Sequence, residues 1–342
     1  MGGRLATVPA FSDVTWSERV DEAIWIRERL APFHAFIVSS VVPGGFDAYA
    51  RILHPVLARS SAPRRVLRWL DVAAWTGTTL RRDAQFHSVA LPPAGPASEP
   101  PWDGPPEEGN MDPADAEALT EILRSETSTP ESCWFCLWQG FGWVEEVVPA
   151  AVWNGPRVHL PNRDYLLYGG PVQSVVLTSE GGRQPAAQSA SLWWSADRAW
   201  CVATEIDLSW TYVSGTARLI ESVLHDPRLE AVAAAAEDPL TRVEPWVRRS
   251  AEDAASELMR TGSTTIVTSV GSVEAWLERP GVGGQTELWT RSPGRRGATR
   301  LHHRDDADLR EKIVSSLTWK VTELVDLWAV HQPPSQSGTS AP

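Results

Sequence analysis

Lysine, cysteine and long apolar runs are scarce in this chain of 342 residues. Lys312 and Lys320 are its lysines, so arginine carries nearly all of the positive charge. The cysteines Cys133, Cys136 and Cys201 are too few, and odd in number, for the disulfide framework of a small secreted protein. No stretch approaches the ~18 apolar residues of a membrane span, and the N-terminus lacks the apolar core of a secretion signal. These absences predict a cytoplasmic protein.

Hydrophobic residues make up 42% of the chain and charged residues 22%, a composition typical of a globular protein with a substantial core. At ~100–200 residues per domain, the length favours two domains or one large one. We expect a main domain at residues 1–240, a smaller C-terminal part at residues 241–331 and a disordered tail at residues 332–342. Tryptophan is over-represented, with 18 residues. We expect most of these rings in the core and a minority on a binding face.

The net charge of −12 is distributed unevenly. Residues 99–131 contain ten acidic residues and one arginine, whereas residues 291–304 contain five arginines, two histidines and no acid. The acidic balance argues against nucleic acid as a partner, because such binding depends on neutralising phosphates. The basic segment is a solvated loop, a patch that contacts the acidic segment, or an anion site formed by Arg295, Arg296 and Arg300.

The first part of the chain carries helix and hairpin signals. Thr15 and Glu18 have the spacing of a capping box, which predicts a helix from there to Pro32. Apolar runs at residues 33–40 and 46–53 are separated by a Val-Pro-Gly-Gly turn, a pattern that predicts a hairpin. We therefore expect one helix followed by two paired strands.

In the next part of the chain, one helix signal precedes a proline-rich segment and another lies at its end. Proline near the first turn and glycine past the end predict a helix over residues 63–77. Residues 91–113 contain eight prolines and five acids, so we expect a long acidic loop or linker there. Asp112 and Pro113 then match the first positions of a helix, with the aspartate as N-cap.

The middle and the C-terminal part are rich in strand patterns. The strand-like runs are CWFCLWQ, RVHLPNRDYLLY, VQSVVLT, SASLWW, AWCVAT, TTIVTSV, SVEAWLE and QTELWTR. Helices are expected after Thr216, over residues 245–262, and over residues 306–329. Hairpins outnumber β-α-β units in this order. We therefore predict an α+β fold with a mainly antiparallel sheet packed with helices, and a smaller C-terminal α+β part.

Cys133 and Cys136 have the spacing of redox and zinc sites. A redox pair needs a helix N-terminus, and a structural zinc site needs four ligands. Here the pair lies in an apolar strand pattern, where positions three apart point to opposite faces, and no second cysteine pair exists. We interpret these cysteines as small hydrophobic residues and expect neither a metal nor a cofactor.

Glu205 and Asp207 form the strongest candidate for chemistry. Two positions apart on an extended chain, they project to the same side. Trp193, Trp194, Trp210 and Tyr212 lie on the surrounding strand-like segments and are candidate binding residues. In an enzyme the two carboxylates would act as acid and base on a glycoside. The alternative is a structural pair that caps loops and binds arginines, which is common at strand ends.

Residues 139–143, Gln-Gly-Phe-Gly-Trp, are a second candidate for recognition. Two glycines between aromatic residues indicate a bend. The bend either exposes Phe141 or Trp143 to a partner or is packed by its own aromatic rings, and we favour the packed arrangement.

Three segments, CWFCLWQGFGW, LPNRDYLLYGGPV and LWWSADRAWCVATEIDLSWTYVSG, together resemble a group of uncharacterised actinobacterial proteins over about residues 33–235. The resemblance implies a bacterial cytoplasmic setting and brings no activity, cofactor or catalytic residue. Since no catalytic motif stands out, we predict a non-enzymatic binding or regulatory module whose partner is another protein. The alternative is a hydrolase that uses Glu205 and Asp207.

Overall fold

The computed structural model describes residues 13–59, 64–90, 99–161, 163–179, 186–240, 245–268, 271–278, 285–292, 295–302 and 306–331. The chain divides into two compact units. Unit 1 comprises Met1–Phe33, Ile37–Asp71 and Pro101–Leu240, and unit 2 comprises His34–Phe36, Val72–Pro100 and Thr241–Pro342. The predicted tail at residues 332–342 and part of the predicted acidic loop, residues 91–98, lie outside the described residues.

The described part of the chain contains both strands and helices, and several strands follow one another directly. The strands are β1 (Thr15–Trp16), β2 (Ala48–Leu53), β3 (Val56–Leu57), β4 (Val66–Leu67), β5 (Cys133–Trp138), β6 (Val158–Leu160), β7 (Arg163–Gly170), β8 (Val176–Ser179), β9 (Ala186–Ser189), β10 (Leu192–Ser195), β11 (Cys201–Ala203), β12 (Trp210–Gly215), β13 (Ala231–Ala234), β14 (Ser263–Thr268), β15 (Gly271–Glu278), β16 (Gln285–Ser292) and β17 (Arg295–His302). The α-helices are α1 (Ile24–Arg29), α2 (Trp69–Thr76), α3 (Phe86–Ala90), α4 (Pro113–Ser125), α5 (Val144–Val147), α6 (Ala150–Trp153), α7 (Ala217–His225), α8 (Pro245–Thr261) and α9 (Asp306–His331). Short 3₁₀ turns lie at Val20–Ala23, Phe33–Ala35, Val38–Ser40 and Val172–Val175.

The chain has the predicted α+β fold, with a large antiparallel sheet, helices and a smaller sheet region. Within the described residues, unit 1 carries a nine-stranded sheet in the order β1-β7-β5-β10-β11-β12-β2-β13, and β6 also pairs with β7. Every strand pairing in that part of the chain is antiparallel. Strands β10 and β11 form a hairpin that turns between Ser195 and Cys201, and Arg198 in this turn has a positive φ of 59°.

Helices α4 and α7 contribute to the main core of unit 1. Leu119, Leu123 and Val223 on these helices join Phe135 and Trp193 from the sheet in one cluster of buried side chains. Burying such large apolar side chains contributes about 1.5–3 kcal/mol each, so this cluster is a principal source of the stability of unit 1. The central strands β5, β10 and β12 are buried on both faces over most of their length. That double burial explains why the middle of the sequence reads as nearly continuous apolar runs.

Several helix ends follow the predicted local signals. The side chain of Asp112 accepts a hydrogen bond of 3.0 Å from the backbone N–H of Ala114, which confirms it as the N-cap of α4. Thr216 caps α7 in the same way, with its hydroxyl accepting from the N–H of Leu219 at 3.2 Å. Gly262 follows α8 with a positive φ of 83°, a conformation that glycine adopts at little cost.

Three sequence predictions for local structure are wrong. Thr15 does not begin a helix, because Thr15–Trp16 pairs with the far end of β7, and the helix is limited to α1. Residues 33–53 do not form a hairpin, since β2 pairs with β12 and β13 instead and 3₁₀ turns precede it. The helix predicted over residues 63–77 begins only at Trp69, because Val66–Leu67 pairs with β3 instead. Of the alternatives left open for the basic segment, a loop does not describe residues 295–302, since β17 pairs there with β16.

In unit 2, the strands β14 to β17 form a four-stranded sheet in chain order within the described part of the chain. Helices α8 and α9 pack against one face of this sheet. Their buried positions Ala255, Leu258, Leu309 and Ile313 form one cluster with sheet residues such as Leu288. Among the helices that the structure describes, none combines the length and apolar character needed to cross a membrane.

Candidate functional site

The ends of four neighbouring strands meet at one end of the large sheet. In the antiparallel order β7-β5-β10-β11, the first residues of β7 and β10 lie beside the last residues of β5 and β11. Arg163 is the first residue of β7, and Glu205 and Asp207 follow β11. The topology therefore brings an arginine and the predicted carboxylate pair to one place, although they are distant in sequence.

Arg163 holds both carboxylates. Its Nη2 donates to Oε1 of Glu205 at 2.5 Å and to Oδ2 of Asp207 at 2.8 Å. The second carboxylate oxygen of Glu205 accepts from the backbone N–H of Ile206. The side chains of Arg163 and Glu205 are only 15% and 8% exposed, whereas that of Asp207 is 47% exposed. The arrangement is a mostly buried ion triad with one carboxylate at the surface.

Burial and charge act in opposite directions on this triad. Burial raises the pKa of Glu205, while the Arg163 guanidinium lowers it and the charge of Asp207 raises it, and the net shift is upward. Burial disfavours the charge of Arg163, but Glu205 and Asp207 outweigh it, so the pKa of Arg163 lies above its ordinary value. We take the ion pair as the state of the site, because a guanidinium is not deprotonated in proteins and lies within hydrogen-bond distance of both carboxylates.

A small cavity lies beside the triad. It has a volume of about 20 Å³ and is lined by residues that include Phe33, Val41, Arg163, Tyr165, Leu192 and Glu205. A cavity of this size has room for about one water molecule. Pockets that hold a sugar or another small ligand are far larger, on the order of 300–1,000 Å³. As formed by the residues that the structure describes, this cavity by itself is too small to enclose a glycoside.

A row of aromatic rings extends from the triad past the C-terminal end of β5. The guanidinium carbon of Arg163 lies 5.4 Å from the ring centre of Phe33 and 5.7 Å from that of Trp138. The ring of Trp138 meets Phe141 edge-on at 5.2 Å, and Phe141 stacks on Trp143 at 6.3 Å. All four rings are half-buried. We call Phe33, Trp138, Phe141, Trp143, Arg163 and Asp207 together the arginine–aromatic surface.

The glycines of residues 139–143 are part of this geometry. A Cβ atom at Gly140 would overlap the ring of Trp138, so that ring can lie across the turn only if the residue is glycine. Phe141 and Trp143 also pack against the core cluster of unit 1. Both predicted alternatives for this segment therefore hold in part: the rings pack against the fold, and each keeps an exposed side.

The other candidate aromatic residues lie in the interior. Trp193, Trp194, Trp210 and Tyr212 are at most 3% exposed. Trp193 stacks on Phe135, and the Trp210 ring lies 3.9 Å from the guanidinium carbon of Arg51. That these four residues bind a partner stays a prediction, and in this conformation they pack inside unit 1. They do not belong to the arginine–aromatic surface.

The backbones of Arg295, Arg296 and Arg300 lie on β17, opposite Ser292, Arg291 and Glu287 of β16. Their side chains are outside the described part of the structure, so the predicted anion site stays a prediction.

The cysteines are buried and none forms a disulfide. Burial raises the pKa of Cys133 to about 12 and also raises the pKa of Cys136 and Cys201. A thiol with a raised pKa is a poor nucleophile and a poor metal ligand at neutral pH. Where the structure describes side chains, no group of three or more histidine, cysteine or acidic residues is arranged to hold a metal ion.

The sequence pattern indicates the two carboxylates but not the arginine that binds them. Arg163 follows an Asn in a segment that resembles an ordinary turn, and its partners lie beyond two intervening strands. A usable signal is that Arg163 begins the long strand-like run RDYLLYGG, which is mostly apolar after Asp164. No sequence pattern indicates Phe33 and Trp138 as site residues, because their rings belong to the site only through their contact with Arg163.

Comparison with known protein families gave no matching family model, and comparison with curated proteins and with solved structures gave no match.

Proposed function

We propose that this chain is a non-enzymatic binding or regulatory module that acts in the cytoplasm and binds another protein through the arginine–aromatic surface. The observation that carries the proposal is the fixed position of Arg163, which two carboxylates hold between the rings of Phe33 and Trp138. Arginine and tryptophan are enriched among the residues that dominate protein interfaces. A side chain that is already held loses little conformational entropy when a partner binds.

The same contacts favour binding over catalysis. Arg163 neutralises Glu205, and each oxygen of Glu205 already accepts a hydrogen bond, from Arg163 or from the backbone N–H of Ile206, so both contacts oppose its protonation. The adjacent cavity holds about one water. Half-buried rings beside an exposed carboxylate form a surface for contact with another molecule rather than a pocket that encloses a substrate.

The charge of the surface favours a partner that presents a basic segment. Arg163 balances one of its two carboxylates, and Asp207 is half-exposed at the edge. The chain as a whole carries a net charge of −12. An arginine or lysine of the partner would meet Asp207 and the faces of the neighbouring rings, and both contacts favour a cation. Binding should therefore weaken as the salt concentration rises.

The test is a comparison of variants in a pull-down of the tagged full chain from bacterial lysate, read by quantitative mass spectrometry. Phe141→Ala with Trp143→Ala should lose a partner that the wild type retains in stoichiometric amount. Leu57→Ala is the matched control, because Leu57 is an exposed apolar residue of unit 1 outside the surface. Near-ultraviolet circular dichroism checks that each variant is folded. A partner retained equally by all three proteins contradicts the proposal, as does a wild type that retains none.

A hydrolase is the second candidate, and one observation favours it. Glu205 combines an upward pKa shift with a position on the wall of a cavity, which are features of catalytic acids. The cavity would have to enlarge and the ion pair to open before a glycoside bound. A panel of glycosides and esters tests this candidate: turnover by the wild type that Glu205→Gln abolishes would favour it, and absence of turnover removes it.

A further inference from the structure

The small sheet of unit 2 has two different faces. Residues alternate between them along each strand, and Ile266, Val273, Ala275 and Leu288 point toward helices α8 and α9. The strand register places the intervening residues of β14, β15 and β16 on the opposite face of the sheet. We call this side the tryptophan face, defined by Val267, Glu274, Trp276, Glu278, Glu287, Trp289 and Arg291.

Two tryptophans form the centre of the tryptophan face. Trp276 and Trp289 are direct partners on β15 and β16, and their rings stack with centres 6.1 Å apart and planes 9° apart. The indole N–H of Trp276 donates to Glu278 at 3.1 Å, which fixes the ring orientation. Val267 on β14 is 77% exposed, the highest value among the large hydrophobic residues that the structure describes. Trp276 and Trp289 are half-buried, so together with Val267 they leave apolar side-chain surface on this face.

Charged residues flank the two rings along the strands. Glu274 and Arg291 are partners across β15 and β16, and Nε of Arg291 donates to Glu274 at 3.0 Å. Their side chains are 43% and 61% exposed, so both remain accessible to another molecule. An aromatic centre with a charged, solvated rim is the usual layout of a protein interface.

We infer that two copies of the chain associate through their tryptophan faces. A symmetric interface requires a patch that is complementary to itself. A twofold axis between two aligned sheets, parallel to the strands and midway between β15 and β16, places β15 of each copy over β16 of the other. Trp276 then packs over Trp289 of the second copy. Glu274 faces Arg291 of the second copy, and this contact occurs twice.

The size of the face sets the strength of the association. The four-stranded sheet that carries this face has strands about 4.8 Å apart and about seven residues long, at about 3.3 Å per residue, so one side of the whole sheet measures roughly 450 Å². Two such faces bury roughly 900 Å² in total, which is below the range of about 1,200–2,000 Å² for stable interfaces and within the range of weak, transient ones. The dimer is therefore weak and reversible. Its surface lies in unit 2, so it does not depend on the function proposed for unit 1.

Sedimentation equilibrium of the purified full chain, from low to high micromolar concentration, measures the association. The wild type should shift from monomer to dimer over this range. Trp276→Thr with Trp289→Thr keeps β-forming residues in both strands and should weaken the dimer by more than about a hundredfold. Thermal melts check that the variant is folded. A wild type that stays monomeric throughout, or a variant that dimerises as well as the wild type, overturns the inference.

A charge exchange tests the arrangement of the two copies. Glu274→Arg and Arg291→Glu each create two like-charged contacts in a dimer of that variant, so each should weaken association by about tenfold. An equal mixture of the two variants restores both contacts between different chains and should associate like the wild type. Within each single chain the pair at 274 and 291 remains like-charged, so only contact between chains explains rescue. A mixture that stays as weak as its components contradicts the twofold arrangement.

Discussion

Arg163 is a mostly buried cation in unit 1. The two carboxylates that bind it, Glu205 and Asp207, follow a different strand, β11. Removal of Arg163 would leave the carboxyl of Glu205 8% exposed and without the guanidinium, so that carboxyl becomes an unpaired buried charge or takes up a proton at a cost in free energy. An uncompensated buried charge costs far more than the ion pair itself contributes. Arg163→Ala should therefore lower the free energy of unfolding by about 3–5 kcal/mol in urea denaturation.

Two comparisons make this measurement specific. Arg163→Met combined with Glu205→Met removes both charges and should destabilise the protein less than Arg163→Ala does. Arg124→Ala breaks an exposed ion pair with Glu131, in which the side chains are 50% and 66% exposed, and should cost at most about 1 kcal/mol. Equal losses for Arg163→Ala and Arg124→Ala would show that the triad does not carry a buried charge.

His54 couples the stability of the fold to pH. Its Nδ1 lies 2.7 Å from the carbonyl oxygen of Glu107, and its Nε2 lies 2.9 Å from the hydroxyl of Thr211. Burial lowers the pKa of His54 from 6.5 to about 4. Between these values the unfolded chain binds a proton that the folded chain does not. The stability that neutral His54 contributes is therefore complete above pH 6.5 and falls by about 3 kcal/mol as the pH drops toward 4.

Urea unfolding of the wild type and His54→Gln at about pH 7 and about pH 5 tests this coupling. The wild type should lose more stability than the variant between the two pH values. His87 in unit 2, whose pKa burial also lowers to about 4, retains its own contribution in both proteins. Parallel losses in the two proteins would mean that His54 is not the group that titrates.

The residues of the site differ in how far the sequence predicts them. Glu205 and Asp207 are recognisable because they stand two apart at the end of a strand pattern. Arg163 is not, since its role arises only when β5 and β10 fill the sheet between it and the carboxylates. Trp193 and Trp210 look like candidates for binding by residue type alone, yet their burial depends on helices and strands distant in sequence.

At the scale of single elements, capping is a local interaction and can be tested alone. Thr216 is exposed, and its hydroxyl accepts from the N–H of Leu219 at the start of α7. Thr216→Ala should lower stability by about 1 kcal/mol, whereas Thr216→Ser should keep most of it, because serine caps equally well. Ser222→Ala, an exposed substitution in the middle of α7, serves as the control. Equal effects of the two alanine substitutions would assign no role to the cap.

The elements that the sequence predicts correctly carry their signals within a few residues. Helices α4 and α7 have N-cap residues, α8 ends before a glycine, and β10 and β11 are joined by a short turn. The incorrect predictions concern segments whose structure is decided elsewhere. Residues 15–16 form a strand because they pair with β7, although their own sequence pattern favours a helix. β17 has no apolar alternation, and β16 determines its structure.

At the scale of the whole molecule, the α+β class follows from the sequence and the assignment of segments to units does not. Hairpin signals and the near absence of β-α-β units predict the antiparallel sheets. Unit 2 also includes Val72–Pro100, and α3 within that segment contacts α9. No local pattern identifies such a contact, because it joins residues that are far apart along the chain.

The two units present different surfaces for association. Unit 1 offers the arginine–aromatic surface to a basic partner, and unit 2 offers the tryptophan face to a second copy. A dimer would present two arginine–aromatic surfaces, so a multivalent partner would bind it with a higher apparent affinity than it binds the monomer. Trp276→Thr with Trp289→Thr should reduce that gain without changing the affinity of a single surface.

The affinity of the arginine–aromatic surface for its retained partner is the measurement that tests the central claim most directly. Calorimetric titration of that partner into the wild type, into Phe141→Ala with Trp143→Ala, and into Leu57→Ala would give three dissociation constants. The double variant should lose at least about 2 kcal/mol of binding free energy, and Leu57→Ala should lose almost none. Wild-type binding should also weaken with added salt. Equal dissociation constants for all three proteins would contradict the assignment of this surface as the binding site.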